Sequence, residues 1–519
     1  MKKLSLCIAA LTLATGAFAQ KNTHPEKYAK YISAADARKH LSILASDAYE
    51  GRETGKPGAD KAAKYIANEF KKLGLKAPVN GSYFLDIPLV ENALKVSFTA
   101  NGTAYENGKD FLAGRGAVPE KTFNATDVVF IGFGTENEIA NTDLSGKILV
   151  WINEDKPEAG KTPNTSYRQS TARTAIVKNL QSKNPALLLA VNGEIADVLK
   201  RFGSTVTGGR LSIKTDASKP APTMAPTLNI TTATADQLLK SSGKTYDELK
   251  SAAATGTAQT VKADVAITFH TDTKDVKAVD VLGYLPGTDL KNEVLVFSAH
   301  YDHIGLVADP NAKDKVNNGA DDDGSGTTGI LEIAKAFTLA KKTGHGPRRS
   351  ILFLANVGEE KGLLGSEYYT DHPVFPLANT ITDLNIDMIG RVGTEYIGKP
   401  DSANYVYTIG SAMLSKELHQ VNENANNKYI HIEQDYKYDD PNDPNRFYYR
   451  SDHYNFAKHG VPIIFYFNGV HADYHQPGDE VSKINFPLLA KRARLVFYTG
   501  WELANRNKRP VVDAPPAKQ

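Results

Sequence analysis

The feature that most constrains this chain is a series of short, nearly all-apolar runs, each ending in or followed by a histidine or a carboxylate. Ile351-Leu352-Phe353-Leu354 has no polar face at a period of two, so it suits a strand covered on both sides rather than one half open to water. The spacing predicts strands over 293–299, 350–357, 381–388 and 461–467, with helical patterns over 325–339 and 487–504 between and after them. Strands alternating with helices in this way predict an α/β unit with a mixed, mostly parallel sheet flanked by helices. In such sheets ligands gather at one edge, where the strands end.

The rest of the chain reads differently. Ser33 opens a helical pattern through Leu44, and a second runs from about Ala59 to Leu73 with Gly74 as its C-cap. From 116 to 265 the pattern changes to short alternating strands such as Val128-Val129-Phe130-Ile131 and Leu187-Leu188-Leu189-Ala190, joined by Ser-, Thr- and Pro-rich stretches. The expected organisation is therefore a signal at 1–19, an N-terminal part of the main domain at 20–115, a β-rich insert at 116–265, the remainder of the main domain at 266–507 and a mobile tail at 508–519.

Lys2 and Lys3 precede an apolar run from Leu4 to Ala14 and an Ala17-Phe18-Ala19 cleavage pattern. That composition predicts an exported protein, periplasmic or secreted. The run is shorter than the ~20 apolar residues needed to cross a bilayer, and no later stretch is long enough, so no membrane span is expected. The single cysteine, Cys7, leaves with the signal, so any metal site must be built from His and carboxylates. With 61 Lys+Arg against 59 Asp+Glu, bulk charge gives no reason to expect nucleic-acid binding.

Five segments carry candidate chemistry. In Ser298-Ala299-His300-Tyr301-Asp302-His303 the strand period puts His300 and Asp302 on one side, where the carboxylate could orient the imidazole. Asn318-Gly319-Ala320-Asp321-Asp322-Asp323-Gly324-Ser325 gathers three acids at a helix start, a costly concentration of charge unless a cation or the helix terminus offsets it. An acidic turn or a calcium loop is the alternative there, although the acids lack the alternation of an EF-hand. Glu359-Glu360 follows a buried strand; one of such a pair can bind metal while the other takes a proton from water. Asp387 lies among apolar residues, where an unpaired carboxylate is expensive, and His475 lies in the loop Asp473-Tyr474-His475-Gln476-Pro477-Gly478-Asp479. Two His and three carboxylates without Cys suit zinc, or else cobalt or manganese, and five ligands exceed the need of one open catalytic ion. Two ions sharing one carboxylate, roughly 3.5–4 Å apart, would use all five.

Taken in order, S-A-H-Y-D-H-I-G, N-G-A-D-D-D-G-S-G-T, E-E-K-G-L-L-G-S, N-I-D-M-I-G and D-Y-H-Q-P-G-D closely resemble the di-zinc aminopeptidases of metallopeptidase family twenty-eight, as does Tyr49-Glu50-Gly51-Arg52-Glu53-Thr54-Gly55 near the N-terminus. The resemblance covers about 45–90 and 280–505. It implies the zinc-exopeptidase (phosphorylase/hydrolase-like) fold, two zinc ions per chain, and a peptide substrate with an accessible terminus. His300 and Asp387 would hold one zinc, Glu360 and His475 the other, and Asp321 would bridge them, with a cis bond at Asp321-Asp322. Asp302 would orient His300, Glu359 would act as general base, and Tyr448, in Tyr448-Tyr449-Arg450-Ser451-Asp452-His453, would donate to the oxyanion. The insert looks like a protease-associated domain. Aminopeptidase is the expected activity. The alternatives are a carboxypeptidase of the glutamate carboxypeptidase type, which calls for an Arg cluster with Arg391 and Arg450 as candidates, a one-zinc glutaminyl-cyclase-like enzyme, or a binding member of the fold without activity.

Overall fold

A computed structural model describes residues 24–113, 120–168, 170–206, 208–214, 224–253 and 256–516. The expected signal at 1–19 lies outside the described residues. The chain forms two compact units: one from the residues up to Ile87 together with those from Ala278 onward, the other Pro88–Lys277. The insert is thus wider at both ends than the 116–265 expected from the change in pattern. Its borders fall inside the single long strands Phe84–Ala100 and Gln259–Leu285, which give no composition break for a sequence reading to find.

In the first unit the sheet runs in the order Glu433–Asp435, Tyr405–Ile409, Ile463–Phe467, Thr380–Ile386, Leu290–His300, Arg349–Asn356 and the end of Gln259–Leu285. Four of these pairings are parallel, and the pairings Tyr405–Ile409 with Ile463–Phe467 and Arg349–Asn356 with 281–285 are antiparallel. This is the mixed, mostly parallel sheet expected. From the central strand Leu290–His300 the chain crosses through the helix Gly324–Lys342 to Arg349–Asn356 on one side, then returns to Thr380–Ile386 on the other. The strand order therefore reverses about His300, and the loops leaving the ends of these strands open a crevice there.

The four central strands are almost entirely buried, and side chains on their two faces alternate. Phe297 and Phe353 stack at 5.5 Å on one face, beneath Phe70 of the helix Pro57–Leu73 and Phe337 of Gly324–Lys342. Val294, Val296, Leu352 and Leu354 point to the opposite core with Tyr369 and Phe465. Each such side chain contributes roughly 1.5–3 kcal/mol by leaving water, which is why the apolar runs were legible as strands. The helices begin where the sequence supplies caps: Ser33 accepts from the amide of Asp36 ahead of Ala34–Leu44, and Pro57 begins Pro57–Leu73, which ends at Gly74 with φ 83°.

The second unit is less purely β than expected. Strands Lys121–Phe130, Ile148–Ile152, Leu187–Val191 and Thr227–Ile230 pair in parallel, with antiparallel neighbours at each end. The helix Thr171–Ser182, capped by Ser170, crosses between two of them, and Thr232–Leu239 and Tyr246–Ala253 pack into its core. The periodicity of these helices is diluted by Thr, Lys and Asn, so the sequence pattern, which marks surface connections around 154–172 and 214–226, does not show them. Residues 508–516 of the expected tail are also held. Arg509 donates to the carbonyls of Ala378 and Thr380, and the amide of Asp513 donates to the carbonyl of Leu414. Among the described residues no helix is long and apolar enough to cross a membrane.

The helix Phe486–Asn505 approaches the sheet at Gly500, where a Cβ would lie 2.3 Å from Cζ of Phe297. An alanine there gains about 1 kcal/mol of helix propensity, but overpacking a core costs about 1–3 kcal/mol, so the clash outweighs the propensity. Gly500→Ala is expected to lower the urea midpoint; an unchanged or higher midpoint would show that the contact relaxes freely.

Candidate metal centre

Most side chains of the candidate centre leave a strand end or the loop beyond it, and Asp322 sits in the turn before the helix Gly324–Lys342. His300 closes Leu290–His300, Glu359 and Glu360 follow Arg349–Asn356, Asp387 follows Thr380–Ile386, and His475 lies in the loop after Ile463–Phe467. His300 is 1% exposed, and its Nε2 faces Asp322 Oδ1 at 3.3 Å, Asp387 Oδ1 at 3.7 Å and Glu359 Oε2 at 3.8 Å. His475 Nε2 faces Asp322 Oδ2 and Glu360 Oε2, each at 3.1 Å. Asp322 therefore stands between the two imidazoles with one carboxylate oxygen toward each. Met388, next to Asp387, and His475 itself both take positive φ, 58° and 55°, a backbone conformation of the kind that clusters at functional sites.

This geometry moves the shared position by one residue from the Asp321 expected. Asp321 turns away: its Oδ1 accepts from the amide of Gly390 at 2.7 Å and from Ser325 Oγ at 3.0 Å, and its Oδ2 faces His471. Asp323 accepts from the amides of Gly326 and Met388 and caps the helix Gly324–Lys342. Three consecutive acids thus take three directions, which no spacing rule separates. The cis peptide bond lies between Asp322 and Asp323, likewise one position on.

Around these groups lies a shell of fixed partners. Asp302 accepts from Thr54 Oγ1 at 2.7 Å and from the amide of Glu359 at 3.3 Å; the carbonyl of Asp302 lies 3.1 Å from His300 Nδ1, with its carboxylate at 3.7 Å. Asp302 thus stands behind His300 as expected, with the shorter contact made by its backbone. Ser451 donates to Asp387 at 2.7 Å, His303 Nδ1 lies 2.8 Å from Glu360 Oε1, and Asp479 accepts the amides of both Asp321 and Asp322. Arg52 is 1% exposed and donates to the carbonyls of Leu44, Tyr301, Asn318 and Gly319, tying the loop after the central strand to the turn before Asp322. The sequence signalled Arg52 and Thr54 only as part of a motif, and a distance of some 250 residues hid their partners.

The charges show what the centre lacks. Burial and Asp322 oppose ionisation of Glu360, but the hydrogen bond with His303 and the close imidazole of His475 bring its carboxyl down to about 2. Burial disfavours a charged His475, yet Asp322 and Glu360 push its pKa up to about 10. For Glu359 burial raises the pKa well above the usual range; His300 opposes this, and the carboxylates of Glu360, Asp387 and Asp452 add to it. The protein alone balances these acids by placing protons on imidazoles. His300 Nε2, His475 Nε2 and Asp322 Oδ2 nevertheless lack hydrogen-bond partners in the structure while converging on the same space.

Converging, unpaired imidazole nitrogens and carboxylate oxygens without thiolates fit a divalent ion of the zinc type. One ligand atom each of His300, Glu359 and Asp387 lies within 4.8 Å of the others, and the same holds for His303, Asp322 and Glu360. The candidate set is thus His300, Asp322, Asp387, Glu360 and His475, with Glu359 beside His300 and His303 behind Glu360.

Tyr448 does not join this set. It is 4% exposed, its ring packs on Tyr449, His453 and Tyr454, and it lines a cavity together with Met413, Leu414, Tyr438 and Asp439. The tyrosine beside the acids is Tyr474. Its ring stacks on His475 with centroids 4.0 Å apart, and burial, then the charges of Asp322 and Glu360, raise its pKa. A sequence reading could have found it from its place next to His475.

A sheet whose strand ends converge His and carboxylate side chains on one crevice is an arrangement suited to holding divalent metal ions. Residues 280–500 match the model of peptidase family M28. It is 28% identical over 272 residues to leucine aminopeptidase 2 of Trichophyton equinum, covering 48% of this chain and 49% of that protein. Two solved structures share the fold. The aminopeptidase from Aneurinibacillus sp. strain AM-1 has TM-score 0.55 at 18% identity, over 95% of this chain and 100% of that one. A zinc aminopeptidase from Bacillus subtilis has TM-score 0.50 at 19% identity, over 92% and 97%. The chain spans about half the length of the leucine aminopeptidase and 9% of the vacuolar membrane protease of Aspergillus fumigatus, to which it is 38% identical over 103 residues.

The one-residue shift is testable by metal analysis after dialysis. Asp322→Asn is expected to lose bound zinc at concentrations that saturate the wild type. Asp321→Asn is expected to keep its stoichiometry, with affinity weakened no more than the roughly 10–100-fold typical of a group that supports a ligand. The reverse pattern would return the shared position to Asp321.

Proposed function

We propose that this chain is an exported aminopeptidase that holds two zinc ions and removes residues from the N-terminus of peptides. The observation that carries the reading is the placement of Glu359. Its carboxylate lies 3.8 Å from His300 Nε2, in the same crevice as the candidate ligands but beside them rather than between the two imidazoles. His300 and Asp387 would hold one ion and Glu360 and His475 the other, with Asp322 shared. When bound, such ions polarise the peptide carbonyl and lower the pKa of water, so that hydrolysis runs near neutral pH.

The chain's own residues supply the remaining steps. Glu359 accepts the proton of the attacking water and returns it to the leaving amine. Burial and neighbouring acids raise the proton affinity of its carboxylate, which favours the first transfer. Asp302, fixed by Thr54, keeps His300 in place and holds the amide of Glu359, so base and ligand share one anchor. In place of Tyr448, Tyr474 is the donor to the carbonyl oxygen as it gains charge: it is protonated, it is stacked on His475, and it is the tyrosine near the acids.

The carboxypeptidase alternative called for an Arg cluster. Arg391 donates to Asp473 at 2.9 Å and faces Asp479 at 3.5 Å, so its charge is already matched within the protein. Of the two candidates that leaves only Arg450 free among the described residues, a single arginine rather than a cluster, which favours the aminopeptidase reading, as does the leucine aminopeptidase relative. The insert, as a protease-associated domain, would act on access of substrate rather than on chemistry. The 1–19 signal would place the activity outside the cytoplasm.

Glu359→Gln is expected to lower kcat on a leucyl substrate by about 10²–10⁴-fold while bound zinc stays constant. Tyr474→Phe should cost about 10²–10³-fold in kcat, and Tyr448→Phe little. Full activity of Glu359→Gln, or a greater loss for Tyr448→Phe than for Tyr474→Phe, would overturn these roles.

A further inference from the structure

The candidate ligands are not equally sheltered. The His475 side chain is 36% exposed, against 1% for His300, 4% for Asp322, 5% for Glu360 and 10% for Asp387. Solvent, and with it a substrate, therefore meets the centre from the His475 side. On that side Tyr474 covers the imidazole with its ring, and its hydroxyl accepts a hydrogen bond from Arg450 Nη2 at 3.1 Å. Arg450 is exposed, and its guanidinium lies 4.8 Å from the Phe447 ring centroid.

Arg450 differs from the other arginine near the centre. Arg391 is spent on Asp473 and Asp479. Arg450 makes no ion pair with a carboxylate among the described residues; its polar contact is the neutral Tyr474 hydroxyl, which engages one donor of a five-donor fork. The Phe447 face holds the guanidinium plane and restricts its rotation, so less freedom is lost when it binds a ligand. Behind it Ser451, the next residue, holds Asp387, so the segment that carries the fork is anchored to the candidate centre itself. An exposed, oriented fork without an anion, one hydroxyl away from the crevice, is built to take a carboxylate in two-point fashion.

We infer that Arg450 is a specificity residue that binds one carboxylate of the substrate, making this a peptidase that favours short peptides with a free C-terminus or substrates with an acidic side chain next to the cleaved bond. The inference rests on the peptidase reading above and deepens it. It also separates two duties of one side chain. A fork that only steadied Tyr474 would affect every substrate alike, whereas one that binds a carboxylate affects only substrates that carry one.

The test uses the zinc-loaded full chain and three leucyl substrates: Leu-Gly, Leu-Gly-amide and Leu-Glu-amide. Wild type is expected to favour one or both carboxylate-bearing substrates over Leu-Gly-amide by about 10–100-fold in kcat/KM, mostly through KM, as expected for a charged hydrogen-bonded pair. The first substrate reports a terminal carboxylate and the third a side-chain one. Arg450→Gln should abolish the preference, and Arg450→Lys should restore only part of it. Calorimetric binding of the same three peptides to Glu359→Gln, with and without Arg450→Gln, should show the same difference without turnover. Hydrolysis of all three with no preference in wild type, or equal losses on all three in Arg450→Gln, would overturn the inference and leave the peptidase reading standing. Hydrolysis of none of them would overturn both.

Discussion

The structure depends on a repulsion it must contain. Asp322, Glu359, Glu360 and Asp387 meet at one end of the sheet, with Asp302 directly behind them, where water screens them poorly. Charges of one sign a few Å apart in such surroundings cost several kcal/mol unless matched. The fold fixes two of these acids with an amide and hydroxyls: Thr54 and the amide of Glu359 on Asp302, and Ser451 on Asp387. The rest of the mismatch falls on His300 and His475, whose free nitrogens face the acids, and a divalent cation is the efficient way to settle it. The strong central strands supply the rigidity that keeps the acids from moving apart, so core packing and site chemistry are one problem.

Much of this was legible in the sequence, for a physical reason. Runs such as Ile351–Leu354 can only be buried strands, and the polar residues ending them must then lie at one edge. His300, Glu359, Glu360 and Asp387 stand out this way at or just beyond strand ends, with His475 in a loop after one, and the structure brings them to one crevice. What failed was local direction. In Asp321-Asp322-Asp323 each acid has a different task, and only the turn before Gly324–Lys342 decides which faces the histidines. Tyr448 and Tyr474 were confused for a related reason, since an aromatic side chain reads the same in a core as at a site. The helices of the second unit do not stand out because polar residues dilute their periodicity, and the borders between the units do not because they lie within continuous strands.

The pairing of roles on single short segments is a further outcome. Tyr474-His475 joins a candidate donor to a candidate ligand, Glu359-Glu360 joins base to ligand, and Arg450-Ser451 joins an exposed fork to the hydroxyl that holds Asp387. Neighbouring residues share a backbone, so their relative placement needs little extra structure to maintain. The cost is that one displaced turn disturbs two functions, and substitutions in these segments will not behave additively.

Arg52 gives the centre a place in time as well as in space. Its guanidinium bonds reach carbonyls 249 to 267 residues further along the chain, while its other bond, to Leu44, is local. Contacts so distant in sequence close late, because a long loop must be ordered before they form. The whole second unit is synthesised between Arg52 and its partners. The crevice that such a clasp completes is therefore assembled only after the chain beyond the second unit has been made and has folded back onto Arg52.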